Sequence, residues 1–137
     1  MNRLRKFCRL KWNEKLLFCE SLFLHVYVGA LLKVVPFRWI PRLFRSQQFA
    51  VGTLQPEVVE NVKVAVRQAG WISPWKNRCL VSSLTARYML RRRRISSELF
   101  LGMAKNEAGR MIAHAWLVSC GTEVVEKNGQ FISLYNL

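Results

Sequence analysis

The hydrophobic and polar positions divide the chain into a helical first half and a strand-rich end. Residues 16–37, LLFCESLFLHVYVGALLKVVPF, are the most apolar stretch, interrupted by Glu20, His25 and Lys33. The uncharged run within it, Ser21 to Leu32, is 12 residues long. A membrane-spanning helix needs about 20. The pattern therefore predicts a helix buried on most sides, with a membrane surface as the alternative bed for it. Pro36 and Pro41 break the chain next, and FRWIPRLFR (37–45) reads as a short second helix or connector. Residues 46–56 read as a loop.

Pro56 suits the first turn of a helix over 57–69, with Val58, Val59, Val62, Val66 and Ala69 on one face and Gly70 ending it. Ser73-Pro74 marks a turn. A helix then starts near Asn77 or Arg78, with Leu80, Leu84 and Tyr88 along one side. The period changes to two at SSELFLGMAK (96–105), a strand. NEAGR (106–110) is a turn, 111–119 and 122–126 form a hairpin around Gly121, and 129–137 holds a last strand or tail. Helices first and an antiparallel sheet afterwards make an α+β fold. A length of 137 residues suits a single domain, 1–137, with a helical part at 1–50 and a core at 57–137.

Charge narrows the partners. Lys and Arg number 22 against 8 acids, a net charge of +14. Such a chain attracts anionic partners: nucleic acid, acidic lipid or an acidic peptide. The excess is spread along the chain rather than gathered in an arm. RRRR (91–94) near Tyr88 is the best nucleic-acid feature. Arginines at a helix end also complement its dipole, and that reading is preferred. No nucleic acid is expected, and peripheral membrane contact through residues 1–45 is the alternative. All eight acids are Glu, so any catalytic carboxylate is a glutamate.

Four cysteines, Cys8, Cys19, Cys79 and Cys120, form no C-x-x-C pair and follow no signal peptide. Free thiols in a reducing cytoplasm are the simplest reading. Cys79 falls at a helix start, where unpaired N–H groups and positive potential favour a thiolate and an oxyanion. His114 lies in a strand, sharing a face with Ile112, Trp116 and Val118. Ala113, Ala115 and Leu117 share the other, leaving room for an element to pack closely. A Cys–His pair needs a third group to orient the imidazole, and Glu126, Glu123 and Asn128 are the candidates. Trp75 could wall the site or support a second oxyanion donor. A zinc site from Cys79, His114, Cys120 and His25 matches no zinc spacing.

PWKNRCLVSSLTARYMLRRRRISSELFLGMAK, followed by AHAWL, a Gly and a hydrophobic pair ending in an acid, resembles the cysteine peptidases of lasso-peptide biosynthesis. These are transglutaminase-like, papain-type proteins that include the microcin-processing ones. Trp75, Cys79, Leu80, Leu90, Arg92, Arg93, Ile95, Leu101, Gly102, Ala113, His114, Ala115, Trp116 and Gly121 fall on the pattern. The apolar leading helix and its VVPFRWIPRL ending are similar too. The resemblance implies Cys79 as nucleophile, His114 as base and acid, and Glu126 as third member where the family has Asp. Val118 replaces a Glu, and Arg94 the glycine of an RRGI motif.

The reaction implied is removal of the leader from a ribosomally made precursor peptide, before a separate ATP-dependent cyclase closes a macrolactam. No cofactor or metal is implied. The chain resembles a split form without the leader-binding domain, which implies a separate winged-helix-type leader-binding protein as partner.

Overall fold

A computed structural model describes residues 8–9, 11–39, 42, 56–72, 75, 78–127 and 132–136. Three helices come first: α1 (Trp12–Val34), α2 (Pro56–Ile72) and α3 (Arg78–Arg92), with a 3-10 turn at Phe37–Trp39. Four strands follow: β1 (Glu98–Lys105), β2 (Met111–Ser119), β3 (Thr122–Val125) and β4 (Ile132–Asn136). They form one antiparallel sheet in the order β3-β2-β1-β4. The fold is α+β, as the change of period predicts. The expected loop at 46–55 lies outside the described residues.

Helix α1 starts at Trp12, ahead of the apolar run, where the Glu14 carboxylate accepts the Lys11 N–H at 3.1 Å. It is not buried on most sides. Ser21, Leu24, His25, Val28 and Gly29 form its buried face, against α2 and α3. The opposite side is apolar and exposed. In α2 the buried positions are Val59, Val62, Ala65, Val66 and Ala69; Ala65 joins four of the expected residues, while Val58 is only half-buried. Gly70 does not end this helix. It lies inside it, where a Cβ would stand 3.4 Å from the Ser82 hydroxyl. That is an ordinary contact, so a Cβ would fit there.

Helix α3 is the centre of the molecule. Helices α1 and α2 pack against it, and so do β1, β2 and β3. Val81, Leu84, Ala86, Met89 and Leu90 are all fully buried, while Tyr88 is exposed. The single apolar side expected through Tyr88 is replaced by burial nearly all round, because layers cover the helix on two sides. Arg87 is also enclosed, with no hydrogen-bond partner for its Nη1 and Nη2 atoms.

The end of α3 is a Schellman motif. Ile95 N–H donates to Leu90 O at 2.9 Å and Arg94 N–H to Arg91 O at 3.0 Å. Ile95 and Leu90 are both buried in the same core, the hydrophobic contact that accompanies the motif. Arg94 has φ 57°, a left-handed conformation at the C′ position that favours glycine. Arg94→Gly is therefore expected to raise unfolding stability by about 1 kcal/mol, measured by urea denaturation. An unchanged midpoint would show that contacts of the arginine offset its backbone strain.

Two of the four arginines are engaged in holding helices together. Arg93 reaches Glu20 at 2.7 Å and Arg92 reaches it at 2.7 Å. Arg93 also donates to the Met89 carbonyl. The run thus ties the end of α3 to the middle of α1.

In the sheet, Leu99 pairs with Leu117 and Gly102 with His114. Cys120 and Gly121 form the two-residue connection from β2 to β3, with φ 51° and 72°. Both angles are positive, as a type I′ hairpin requires. The C-terminal stretch supplies an edge strand beside β1.

Candidate active site

The helix of Cys79 and the strand of His114 are adjacent layers. A five-residue link, 93–97, carries the chain from the end of α3 into β1. Such a short link makes β1 run back along the helix. The hydrogen bond from Ser119 Oγ to Ser96 O, 2.7 Å, fixes the end of β2 beside that link. Cys79 is thus carried by α3 and His114 by β2, and the two elements pack against each other.

Cys79 is the second residue of α3 and is half-buried. Its N–H is one of the first four in the helix, which have no intrahelical acceptor. An N–H in that position can donate to an oxyanion formed at a carbonyl attacked there.

His114 is half-buried on β2. Its Nε2 lies 2.9 Å from the main-chain oxygen of Glu126. A carbonyl oxygen only accepts, so Nε2 is the donor. In the neutral ring Nδ1 is then left with a lone pair, the form a general base needs. Glu126 thus comes beside His114, but the group that meets the ring is its backbone carbonyl. The Glu126 side chain is exposed, as is that of Glu123. Asn128 lies outside the described residues.

Strand alternation separates the two faces of β2. Leu117 and its partner Leu99 join Val81, Leu84 and Leu90 in the core, so this side faces α3. His114 and Trp116 alternate to the other side. There Trp116 stacks on Phe100 with ring centres 5.5 Å apart and on His114 at 6.2 Å, and Lys127 Nζ sits 5.0 Å above it. The alternation turns the His114 ring to the face away from α3.

Trp75 has a different role from oxyanion support. Its single indole N–H donates to the His25 carbonyl at 3.0 Å. The ring packs against Gly29, where a Cβ would overlap it, and Lys33 Nζ lies 4.7 Å over it. Trp75 pins the segment leading into Cys79 onto α1. With its N–H engaged, it serves as wall and anchor rather than donor.

His25 is the residue whose importance the sequence reading missed. It is fully buried. Its Nδ1 donates to the Ser21 carbonyl at 2.9 Å, and the Ser82 hydroxyl donates to its Nε2 at 3.1 Å. Ser82 lies one turn after Cys79 on α3, so His25 braces the start of the Cys79 helix. The signal was available in the spacing: Ser21, His25 and Gly29 recur every four residues, a polar and small stripe on an otherwise apolar helix. Among the described residues, no three His, Cys or Glu side chains gather closely enough to hold a metal ion.

Burial pushes the His25 pKa below its ordinary 6.5, against the smaller raising effect of the Ser21 carbonyl. The unfolded chain takes up a proton below pH 6.5 before the folded one does. Its contribution to stability is thus fully present above that pH and declines as the pH falls toward the lower folded value. The slope there is up to about 1.4 kcal/mol per pH unit. Urea melts from about pH 7.5 to about pH 5 should show this decline, and His25→Gln should flatten it. An equal slope in the variant would assign it to other groups.

Comparison with known proteins gives one match. A family model described as the transglutaminase-like superfamily matches residues 24–133. No curated protein and no solved structure matches the chain.

Proposed function

The chain belongs to the transglutaminase-like superfamily, and from that premise we propose that it is a cysteine peptidase removing the leader from a ribosomally made lasso-peptide precursor. The matched region contains both Cys79 and His114. The observation that carries the reading is the superfamily match itself, which spans both residues, and the contact of His114 Nε2 with the Glu126 carbonyl supports it by orienting the ring. The residue pattern from Trp75 to Gly121 supports the choice of substrate class. A leader-binding protein and an ATP-dependent cyclase are the proposed partners, acting in the cytoplasm.

In this mechanism Nδ1 of His114 takes the thiol proton of Cys79, which requires the ring to reach the thiol from the sheet face opposite α3. The thiolate attacks the carbonyl carbon of the scissile amide, and the N–H of Cys79 donates to the oxyanion. The imidazolium returns its proton to the leaving amine, which departs as the core peptide. The leader remains as a thioester on Cys79. Water, deprotonated at Nδ1, hydrolyses that thioester and restores the thiol. The Glu126 carbonyl accepts from Nε2–H throughout and holds the ring in one tautomer. Trp75 and the His25–Ser82 contact keep the helix start in place.

A second reading rests on the strand alternation, which turns His114 away from the face that α3 covers. On that reading the chain is a non-catalytic scaffold of the same fold. Thiol labelling separates the two. With iodoacetamide, read at each cysteine by mass spectrometry, the peptidase reading expects Cys79 to react fastest at a pH well below the ordinary thiol value of about 8.5. His114→Ala should remove that advantage. Labelling of Cys79 that matches exposed Cys8 and Cys19, with or without precursor peptide and leader-binding protein, would favour the scaffold.

A further inference from the structure

We propose that the outward face of α1 is a docking surface for an anionic membrane, with the helix lying flat on the bilayer. This proposal is independent of the peptidase reading. From residue 16 to residue 30 every exposed position on α1 is apolar: Leu16, Cys19, Phe23, Val26, Tyr27 and Ala30. Phe23 is 70% exposed and Tyr27 53%. The spacing of three and four residues keeps these side chains in one stripe along the helix. The other side of α1 is locked against α2 and α3, with His25 held by Ser82. A helix so held cannot cross a bilayer without taking the core with it, but it can lie on one.

Charge selects the occupant. Between Lys15 and Lys33 the only acidic or basic side chain other than buried His25 is Glu20, which is paired with Arg92 and Arg93. Cations bracket the stripe: Lys11 and Lys15 at one end, Lys33, Arg38 and Arg42 at the other. An aromatic ring accompanies each set. Trp12 is 73% exposed, and Trp39 is exposed with the Arg42 guanidinium 5.3 Å from its ring centre. Tryptophan and basic groups at the ends of an apolar stripe match the headgroup level of a bilayer. A second copy of this chain would bring like-charged ends together in either orientation, adding to the repulsion between two molecules of charge +14. Acidic lipid neutralises the same groups.

The test is co-sedimentation of the purified full chain with vesicles of phosphatidylcholine alone and of phosphatidylcholine containing about 30% phosphatidylglycerol. Binding to the anionic vesicles, weak binding to the neutral ones and release by high salt are expected. Phe23→Glu should lower the partition coefficient about tenfold or more, with an unchanged circular dichroism spectrum. Trp12→Ala should give a smaller loss and, being at the helix end, guards against a folding defect. Asn61→Glu, the same charge change on exposed α2, should leave binding unaltered. No binding to anionic vesicles, or binding that Phe23→Glu leaves intact, overturns the proposal. So does a dimer in light scattering that Phe23→Glu disperses, since the stripe would then belong to a second copy.

Discussion

Cys79→Ala is expected to lower cleavage of a precursor peptide by at least about 10,000-fold. Without the thiol no covalent intermediate forms, and water must attack the amide directly. His114→Ala should cost about as much, because the thiol then has no base and the leaving amine no acid. The double variant should be no worse than either single one, since nucleophile and base act as a unit. Glu126→Gln is the informative control. The group that meets Nε2 of His114 is the main-chain carbonyl, which this substitution keeps. Its rate should fall by less than about tenfold. Product formation by chromatography, with leader-binding protein present, reads all four. Undiminished cleavage by Cys79→Ala would end the peptidase proposal, and a large loss in Glu126→Gln would return the third role to the carboxylate.

The elements themselves were legible because each has its own period. Most of the valine stripe of α2 and the strands β1 and β2 emerge where the pattern places them. So does the Gly121 turn, since a type I′ hairpin needs positive φ. What was not legible is what packs on what. Tyr88 and Leu84 lie on one helical stripe in sequence, yet one is exposed and the other fully buried. Periodicity describes a helix with one neighbour, and α3 has several. Arg87 shows the same limit: it is enclosed at 3% exposure, where burial foremost, and then the charge of Arg91, lowers its pKa.

The site was legible in its residues and less so in its geometry. Cys79 at a helix start and His114 in a strand follow from local pattern. That Glu126 meets the ring through its backbone does not, because a main-chain carbonyl carries no residue identity. Burial along β2 does not separate the strand's two faces: Ala115, Trp116 and Leu117 are all buried, and Ala113 is exposed. The consequence for His114 emerges only once α3 is known to pack on the side of Leu117. Exposure of the α1 stripe was hidden for the same reason: an apolar helix has no polar side to mark its outer face.

Gly29→Ala is expected to change sign with the residue at position 75. Beside Trp75, a Cβ at Gly29 overlaps the indole. Overpacking of this kind costs about 1–3 kcal/mol, against a gain of about 1 kcal/mol from replacing glycine in a helix. The net result is a loss of up to about 2 kcal/mol in urea denaturation. In a Trp75→Ala background the overlap disappears, and the same substitution should stabilise by about 1 kcal/mol. The coupling between the two positions is then about 1–3 kcal/mol. Additive effects would show that the indole moves aside freely. The sign matters for catalysis as well as for folding. Trp75 donates to the His25 carbonyl and stands four residues before Cys79. A side chain that displaces it moves the anchor of the segment entering the nucleophile helix. Gly29→Ala should therefore slow Cys79 alkylation in the Trp75 protein while leaving Cys8 and Cys19, on the far side of that anchor in sequence, at their original rates.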